Sequence, residues 1–360
     1  MSKSLKSRKI HNPILVALLT ATLSTGALAQ SPPNITADIK WTYNGGLDIN
    51  GTSPPPATYG SVAIIEAAFN NARRQEEIQL NLANGTIADL DLPTQTDWDA
   101  MSDDQKALYI LNAERTSRAG MQAGVIGLPF AGVESAIDMI ADAYVDVLIN
   151  NDATGHNQPS GNEAIDGIFA KIDNSATLAN CHSNIPRGEN IAWYGVSAGS
   201  SIPLPVERAI YQWIYDDSSS NWGHREMALL QDQPLDNSSG LAGFTNDNGD
   251  AAHEGYIGFS SKGSSDYDPF TTPTAYSQAV VMQFFDPTPV GGTNNCAFAV
   301  TQTTETLPAA GANTTTTTPA TTTPAATTNS GGSGGGSFGF SLLAGLFGLF
   351  VGLRRRMKKS

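Results

Sequence analysis

The chain has 360 residues, enough for one sizeable domain with terminal extensions, and a formal net charge of −14 at neutral pH. All 34 acidic residues fall between residues 31 and 305, whereas nine of the 20 basic ones sit at the two ends, leaving 11 basic against 34 acidic, a net −23. A body of that charge repels nucleic acid and anionic membrane surfaces, which excludes both as partners of the folded part.

In chain order, residues 1–29 read as a secretory signal. Lys3, Lys6, Arg8 and Lys9 form a basic start, Ile14 to Leu23 an apolar run too short to span a bilayer, and Ala27-Leu28-Ala29 a small-x-small cleavage site. The protein is therefore expected to be exported. Residues 30–99 divide into a turn-rich arm, with Asn44-Gly45-Gly46 and Ser53-Pro54-Pro55-Pro56, and a helix over 60–82 in which Val62, Ile64, Ile65, Ala68 and Phe69 fall at helical spacing.

The main domain is expected over 100–296. Ser102 and Gln105 have capping-box spacing ahead of Leu108, Ile110 and Leu111, which predicts a second helix leading into Asn112-Ala113-Glu114-Arg115. A third helix is predicted from Val133 to Ile149, where Ile137, Ile140, Ala141, Tyr144, Val145 and Leu148 make one stripe. A fourth follows Pro205, with Val206, Ala209, Ile210 and Trp213 on one face. From Leu241 onward the period changes: Tyr256-Ile257-Gly258-Phe259 and the run Ala279 to Phe285 read as strands. Helices first and strands later imply an α+β domain.

After Cys296 the composition turns to Thr, Pro, Ala and Gly, so 297–337 is expected to be an unpacked stalk. The apolar run 338–353, at 1.5 Å per residue, covers about 24 Å of a roughly 30 Å hydrocarbon core. The basic tail 354–360 would remain cytoplasmic. Glycines before a short apolar segment and an arginine run resemble the Gly-Gly sorting signal of Gram-negative bacteria, a substrate of rhomboid-like proteases. A permanent anchor is the alternative, and either gives the chain a membrane contact through this segment. The two cysteines, Cys181 and Cys296, both lie in the exported part, where a disulfide is the simplest outcome. It would close a loop worth on the order of 4 kcal/mol. Two separate buried thiols are the alternative.

Four segments carry the chemistry: Thr154-Gly155-His156, Gly188-Glu189-Asn190-Ile191, Trp222-Gly223-His224-Arg225-Glu226-Met227 and Phe284-Phe285-Asp286-Pro287. In this order they resemble the signature of the CAP superfamily (cysteine-rich secretory proteins, antigen 5 and pathogenesis-related proteins). The resemblance implies a three-layer α-β-α sandwich, with two histidines and two acids meeting in one cleft. His156, His224 and Glu189 match three members of that tetrad. The second acid of the family follows the helix tryptophan by three residues, which here lands on Asp216, with Asp217 beside it; the family often has Glu at that place, so this chain is one methylene short. His156, His224, Glu189 and Asp216 are accordingly the candidate metal ligands and candidate catalytic groups, with Zn(II) or Ca(II) as the candidate ion.

Other chemistry has little support. The chain has no Gly-x-Ser-x-Gly, no His-Glu-x-x-His and no phosphate-binding Gly-rich loop with Lys-Ser/Thr. Asn246-Asp247-Asn248-Gly249-Asp250 lacks EF-hand spacing and reads as a solvated turn. Three functions remain: a surface or released module whose cleft binds a divalent metal or small ligand, a metal-dependent peptidase or esterase using the same cleft, and a scaffold that engages another protein.

Overall fold

A computed structural model describes residues 35–43, 47–48, 60–119, 121, 127–162, 171, 187–229, 253–285 and 305–311. The leader, both cysteines, the 246–250 turn and the chain beyond 311, including the apolar segment 338–353, lie outside these residues. Among the described residues no helix is long and apolar enough to cross a membrane.

The elements run β1 (Thr42–Tyr43), β2 (Leu47–Asp48), α1 (Val62–Gln79), α2 (Gln95–Ala100), α3 (Asp103–Thr116), β3 (Gly132–Val133), α4 (Ser135–Asn150), β4 (Arg187–Val196), α5 (Pro205–Tyr215), a 3-10 turn at Ser218–Ser220, α6 (Gly223–Ala228), β5 (Tyr256–Ser264) and β6 (Tyr276–Phe285). The domain is α+β, as expected. The capping box opens α3, with Ser102 N donating to Gln105 Oε1 at 3.2 Å. Pro205 sits in the first turn of α5, where its missing N–H goes unneeded. Helix α4 starts two residues later than the apolar stripe predicts. Val133 is drawn into β3 beside Ile257, and the Glu134 carboxylate accepts from Ala136 N at the helix start. Helix α2, which has no apolar stripe to announce it, opens on Thr94, whose hydroxyl accepts from Asp97 N.

The four-stranded sheet has the order β3-β5-β6-β4; β3 lies parallel to β5 and the other pairs are antiparallel. Strand β4, which holds the Gly188-Glu189-Asn190-Ile191 motif, pairs with β6 from Arg187↔Phe285 to Val196↔Tyr276. Side chains alternate across the sheet. Ile191, Trp193, Ala279 and Val281 join Ala141, Tyr144, Val145 and Leu148 of α4 in one apolar cluster. Ala192, Tyr194, Ile257, Phe259, Val280, Met282 and Phe284 join residues of α1, α3 and α5 in another. Helix α4 sits so close to β5 that a Cβ on Gly258 would meet the carbonyl carbon of Ile137 at 2.4 Å. Only glycine allows that approach.

Two segments outside the expected main domain, the arm and part of the expected stalk, are packed against it. In the arm, Ile39 N donates to Tyr215 O at 2.7 Å, and Trp41 lies with its ring centroid 5.6 Å from that of Phe69 and 4.8 Å from that of Tyr211. Residues 305–311, expected in the stalk, run from β3 to the start of α2. Glu305 N donates to Ala131 O at 2.8 Å, Glu305 Oε2 accepts from Val133 N at 3.2 Å, and Gly311 N donates to Leu92 O at 2.8 Å.

A buried ion network joins the helices on the α1 side of the sheet. Glu76 of α1 accepts from Arg118 and Arg225, each at 2.5 Å, and Glu114 of α3 accepts from Arg73 at 2.8 Å, Arg118 at 2.6 Å and the Tyr215 hydroxyl at 2.7 Å. Burial alone would raise the Glu76 carboxyl, but the Arg118 and Arg225 charges hold it down at about 2, against an ordinary 4.5. A lowered folded-state value stabilises the fold above the ordinary carboxylate range, and that contribution is lost as pH falls through it toward 2. Glu76→Gln should therefore cost about 3–5 kcal/mol at neutral pH by leaving two buried guanidinium groups undercompensated. Denaturant unfolding measured from pH 7 to pH 2.5 should show wild-type stability falling below pH 4.5, with a flatter profile for the variant; equal stability of the two at pH 7 would remove the network from its structural role.

Candidate functional site

His156 lies in the turn that follows α4, two residues past Thr154, and Gly155 takes φ +89°, a conformation natural to glycine. The turn is pinned from below. Tyr144 of α4 donates its hydroxyl to Gly155 O at 2.7 Å and accepts from Gln158 N at 3.2 Å, and the Tyr267 hydroxyl donates to Ala153 O at 2.8 Å. His224 is the second residue of α6, on the opposite side of edge strand β4. Two contacts bring α6 against that strand: a Cβ on Gly188 would collide with the Met227 side chain, and Asn190 Nδ2 donates to His224 O at 3.0 Å. The motif glycine and asparagine of β4 thus receive the methionine and histidine of the Trp222–Met227 motif.

Each histidine is held by its own carboxylate. His156 Nδ1 lies 2.8 Å from Glu189 Oε1, and His224 Nδ1 lies 2.6 Å from Asp217 Oδ1. A carboxylate accepts, so each Nδ1 carries a proton, and in the neutral ring each Nε2 then presents its lone pair. Both Nε2 atoms are buried and have no hydrogen-bond partner among the described residues. The two rings lie 6.5 Å apart between centroids, inclined by 32°.

Glu189 is 5 % exposed and fully engaged. Besides His156 it accepts from Lys171 Nζ on both oxygens, at 2.8 and 2.7 Å, and from Gln283 Nε2 of β6. Gln283 is its direct cross-strand neighbour. Burial pushes the Glu189 carboxyl up, but the Lys171 charge and the His156 hydrogen bond outweigh it and hold the group at about 2. Asp217 is held differently: its Oδ2 accepts from the main-chain N–H of His224 at 2.9 Å and of Arg225 at 3.2 Å.

Of the four expected residues, His156, Glu189 and His224 meet here and Asp216 does not partner either histidine. Counting three from Trp213 presumes a continuing helix, but α5 ends at Tyr215 and Asp216 is its C-cap, with φ −127° and ψ 53°. The chain turns there, sending Asp217 to His224 and Asp216 to Lys40, 2.5 Å away. Burial raises the Asp216 carboxyl to about 6 in spite of that lysine. Glu189, expected as a metal ligand, spends both oxygens on protein donors. Lys171 and Gln283 carried no sequence signal beyond a polar side chain interrupting the apolar face of β6. Among the described residues, no cluster of three or more His, Cys, Asp or Glu has the arrangement of a metal cage.

No protein-family model matches this chain, and comparisons with curated proteins and with solved structures likewise find no match.

The assignment of Asp217 rather than Asp216 is checked by proton NMR. The short His224–Asp217 contact should place the His224 Nδ1 proton far downfield, and Asp217→Asn should abolish or shift that resonance while Asp216→Asn leaves it in place. The reverse pattern would return the role to Asp216.

Proposed function

We propose that this is an exported CAP-type protein whose paired histidines bind a divalent transition metal. The observation that carries the reading is the pair of buried, partnerless Nε2 atoms, each backed by a carboxylate on Nδ1. That arrangement recurs in metal-binding histidines, where a carboxylate behind the ring fixes the tautomer and raises the basicity of the ligating nitrogen. A CAP-type three-layer α-β-α sandwich is part of the proposal. It is supported by the two apolar clusters on alternating residues of the sheet and by the order of the four motifs.

The donor set fits Zn(II) or a similar borderline ion better than Ca(II), because imidazole nitrogen suits the former and Ca(II) takes six to eight oxygens. His156 and His224 would hold the ion; Glu189, Asp217, Lys171, Gln283 and Asn190 would hold the histidines. When bound, such an ion polarises a carbonyl or activates water, which is the chemistry a peptidase or esterase would need. A binding role is favoured over hydrolysis because neither carboxylate is free to act as a general base. The lone pairs of Glu189 are taken by His156, Lys171 and Gln283, and Asp217 accepts from the ring of His224 and from the main chain at the start of α6. Export through the 1–29 signal, and a transient or lasting membrane contact through 338–353, belong to the same reading. So does a small ligand or a protein partner at the cleft.

Titration calorimetry of the full chain with Zn(II) and with Ca(II), beside His156→Ala/His224→Ala, tests this. One Zn(II) per chain is expected, with little Ca(II) uptake and a loss of at least about 100-fold in affinity on removing both imidazoles. Failure of the folded wild-type chain to bind Zn(II) would overturn the metal reading and leave the cleft to an uncharged ligand.

A further inference from the structure

We propose that Lys171 is a positioning residue of the histidine site, a side chain that ties the main chain of His156 to the carboxylate orienting its ring, so that Nε2 is turned free. The consequence for metal binding rests on the reading given above; the geometry does not. The ammonium group reaches three oxygen acceptors, the two Glu189 oxygens at 2.8 and 2.7 Å and the main-chain carbonyl of His156 at 3.0 Å. A lysine has three N–H donors, and three acceptors use them all. Its Nζ also lies 3.0 Å from the centroid of the Tyr144 ring, the same tyrosine whose hydroxyl anchors Gly155, and the side chain is 10 % exposed.

Lys171 therefore constrains His156 at both ends. One donor holds its main chain, and the other two hold the carboxylate that orients its ring. With every donor engaged and an aromatic face beneath, the ammonium has none left for a ligand. Its work is done on His156.

The two halves of the site reach the same arrangement by different means. The Asp217 carboxylate on His224 is fixed by main-chain N–H groups of residues 224 and 225, which side-chain truncation does not remove. The Glu189 carboxylate on His156 is fixed by side chains, Lys171 from outside the sheet and Gln283 from within it. Loss of Lys171 should therefore disturb His156 and spare His224, a selectivity that a general loosening of the fold would not produce.

Long-range proton–nitrogen NMR of the imidazoles, recorded on the metal-free full chain, reads this directly. In the wild type His156 should show one tautomer, protonated at Nδ1. Lys171→Met should broaden the His156 signals or divide them between tautomers with the His224 signals unmoved, and Zn(II) affinity should fall about 10- to 100-fold. Lys171→Gln keeps two N–H donors on a side chain one atom shorter, should fall between the two, and serves with the same readouts if the methionine variant does not fold. His156 signals unchanged in a folded variant would overturn the proposal, as would equal disturbance of His156 and His224. Because the tautomer is read without metal, absence of Zn(II) binding by the wild type would remove the metal reading alone and leave the role of Lys171 to be decided by His156.

Discussion

Glu76 and Glu114 lie at the centre of the helical side of this protein, buried with Arg73, Arg118 and Arg225 in one continuous network. Taking five charges out of water costs several kcal/mol per ion, recovered only where nearly every donor and acceptor finds a partner in good geometry. That requirement is positional as well as energetic. Arg73 and Glu76 come from α1, Glu114 from α3, Tyr215 from the end of α5 and Arg225 from α6, so the network closes only when four helices are in register with one another. Hydrophobic burial is indifferent to small slips of one helix along another; a bidentate guanidinium is not. On this argument the apolar clusters supply most of the free energy and the network selects one arrangement of the helices.

The candidate site depends on that arrangement through adjacent residues. Arg225 directly follows His224, and its guanidinium also donates to Ile214 O at 2.7 Å, tying α6 to the last turn of α5. Tyr215, which donates to Glu114, stands two residues before Asp217. The network thus fixes both members of the His224–Asp217 pair through the chain, with its charged groups bonded to neither and only the main-chain N–H of Arg225 reaching Asp217. On the other side of the sheet, α4 lies tight on β5 at Gly258, and the turn it delivers is pinned by Tyr144 and Tyr267. The edge strand β4 is where the two sides meet: Glu189 faces α4 with Ile191 and Trp193, while Asn190 faces α6. A strand reverses its side chains at every residue, so two neighbours in one motif can serve histidines from opposite sides of a sheet.

Electrostatically the halves differ. Glu189 carries a full counter-charge in Lys171, whereas Asp217 is met by main-chain dipoles at the start of a short helix turn. The His156 half therefore contains a balancing ammonium that the His224 half lacks, an asymmetry that would orient any polar ligand placed between the two Nε2 atoms. The strongly acidic body surrounds this pair with further negative charge, which favours cations in the neighbourhood without specifying any one.

Much of this was legible in the residues alone. The apolar stripes placed α1, α3, α4 and α5, the capping box placed the start of α3, and alternation placed β5 and β6, because burial of one face leaves a period in the chain. His156, Glu189 and His224 were singled out differently, through the resemblance of four ordered motifs to a known signature; the structure supplies a local reason for two of the motif glycines, a left-handed turn at Gly155 and the Met227 side chain against Gly188. What the chain does not encode locally is who meets whom across 100 residues. Strand β4, with polar Glu189 and Asn190 at its start, takes its identity from pairing with β6. The C-cap of α5 decides that Asp217, not Asp216, reaches His224, since a helical count fails one residue after the helix ends. Lys171 and Gln283 have ordinary sequence surroundings and become part of the site only because folding brings a cation and an amide to one buried carboxylate, whose charge must be met by whatever groups the tertiary structure places within hydrogen-bond reach.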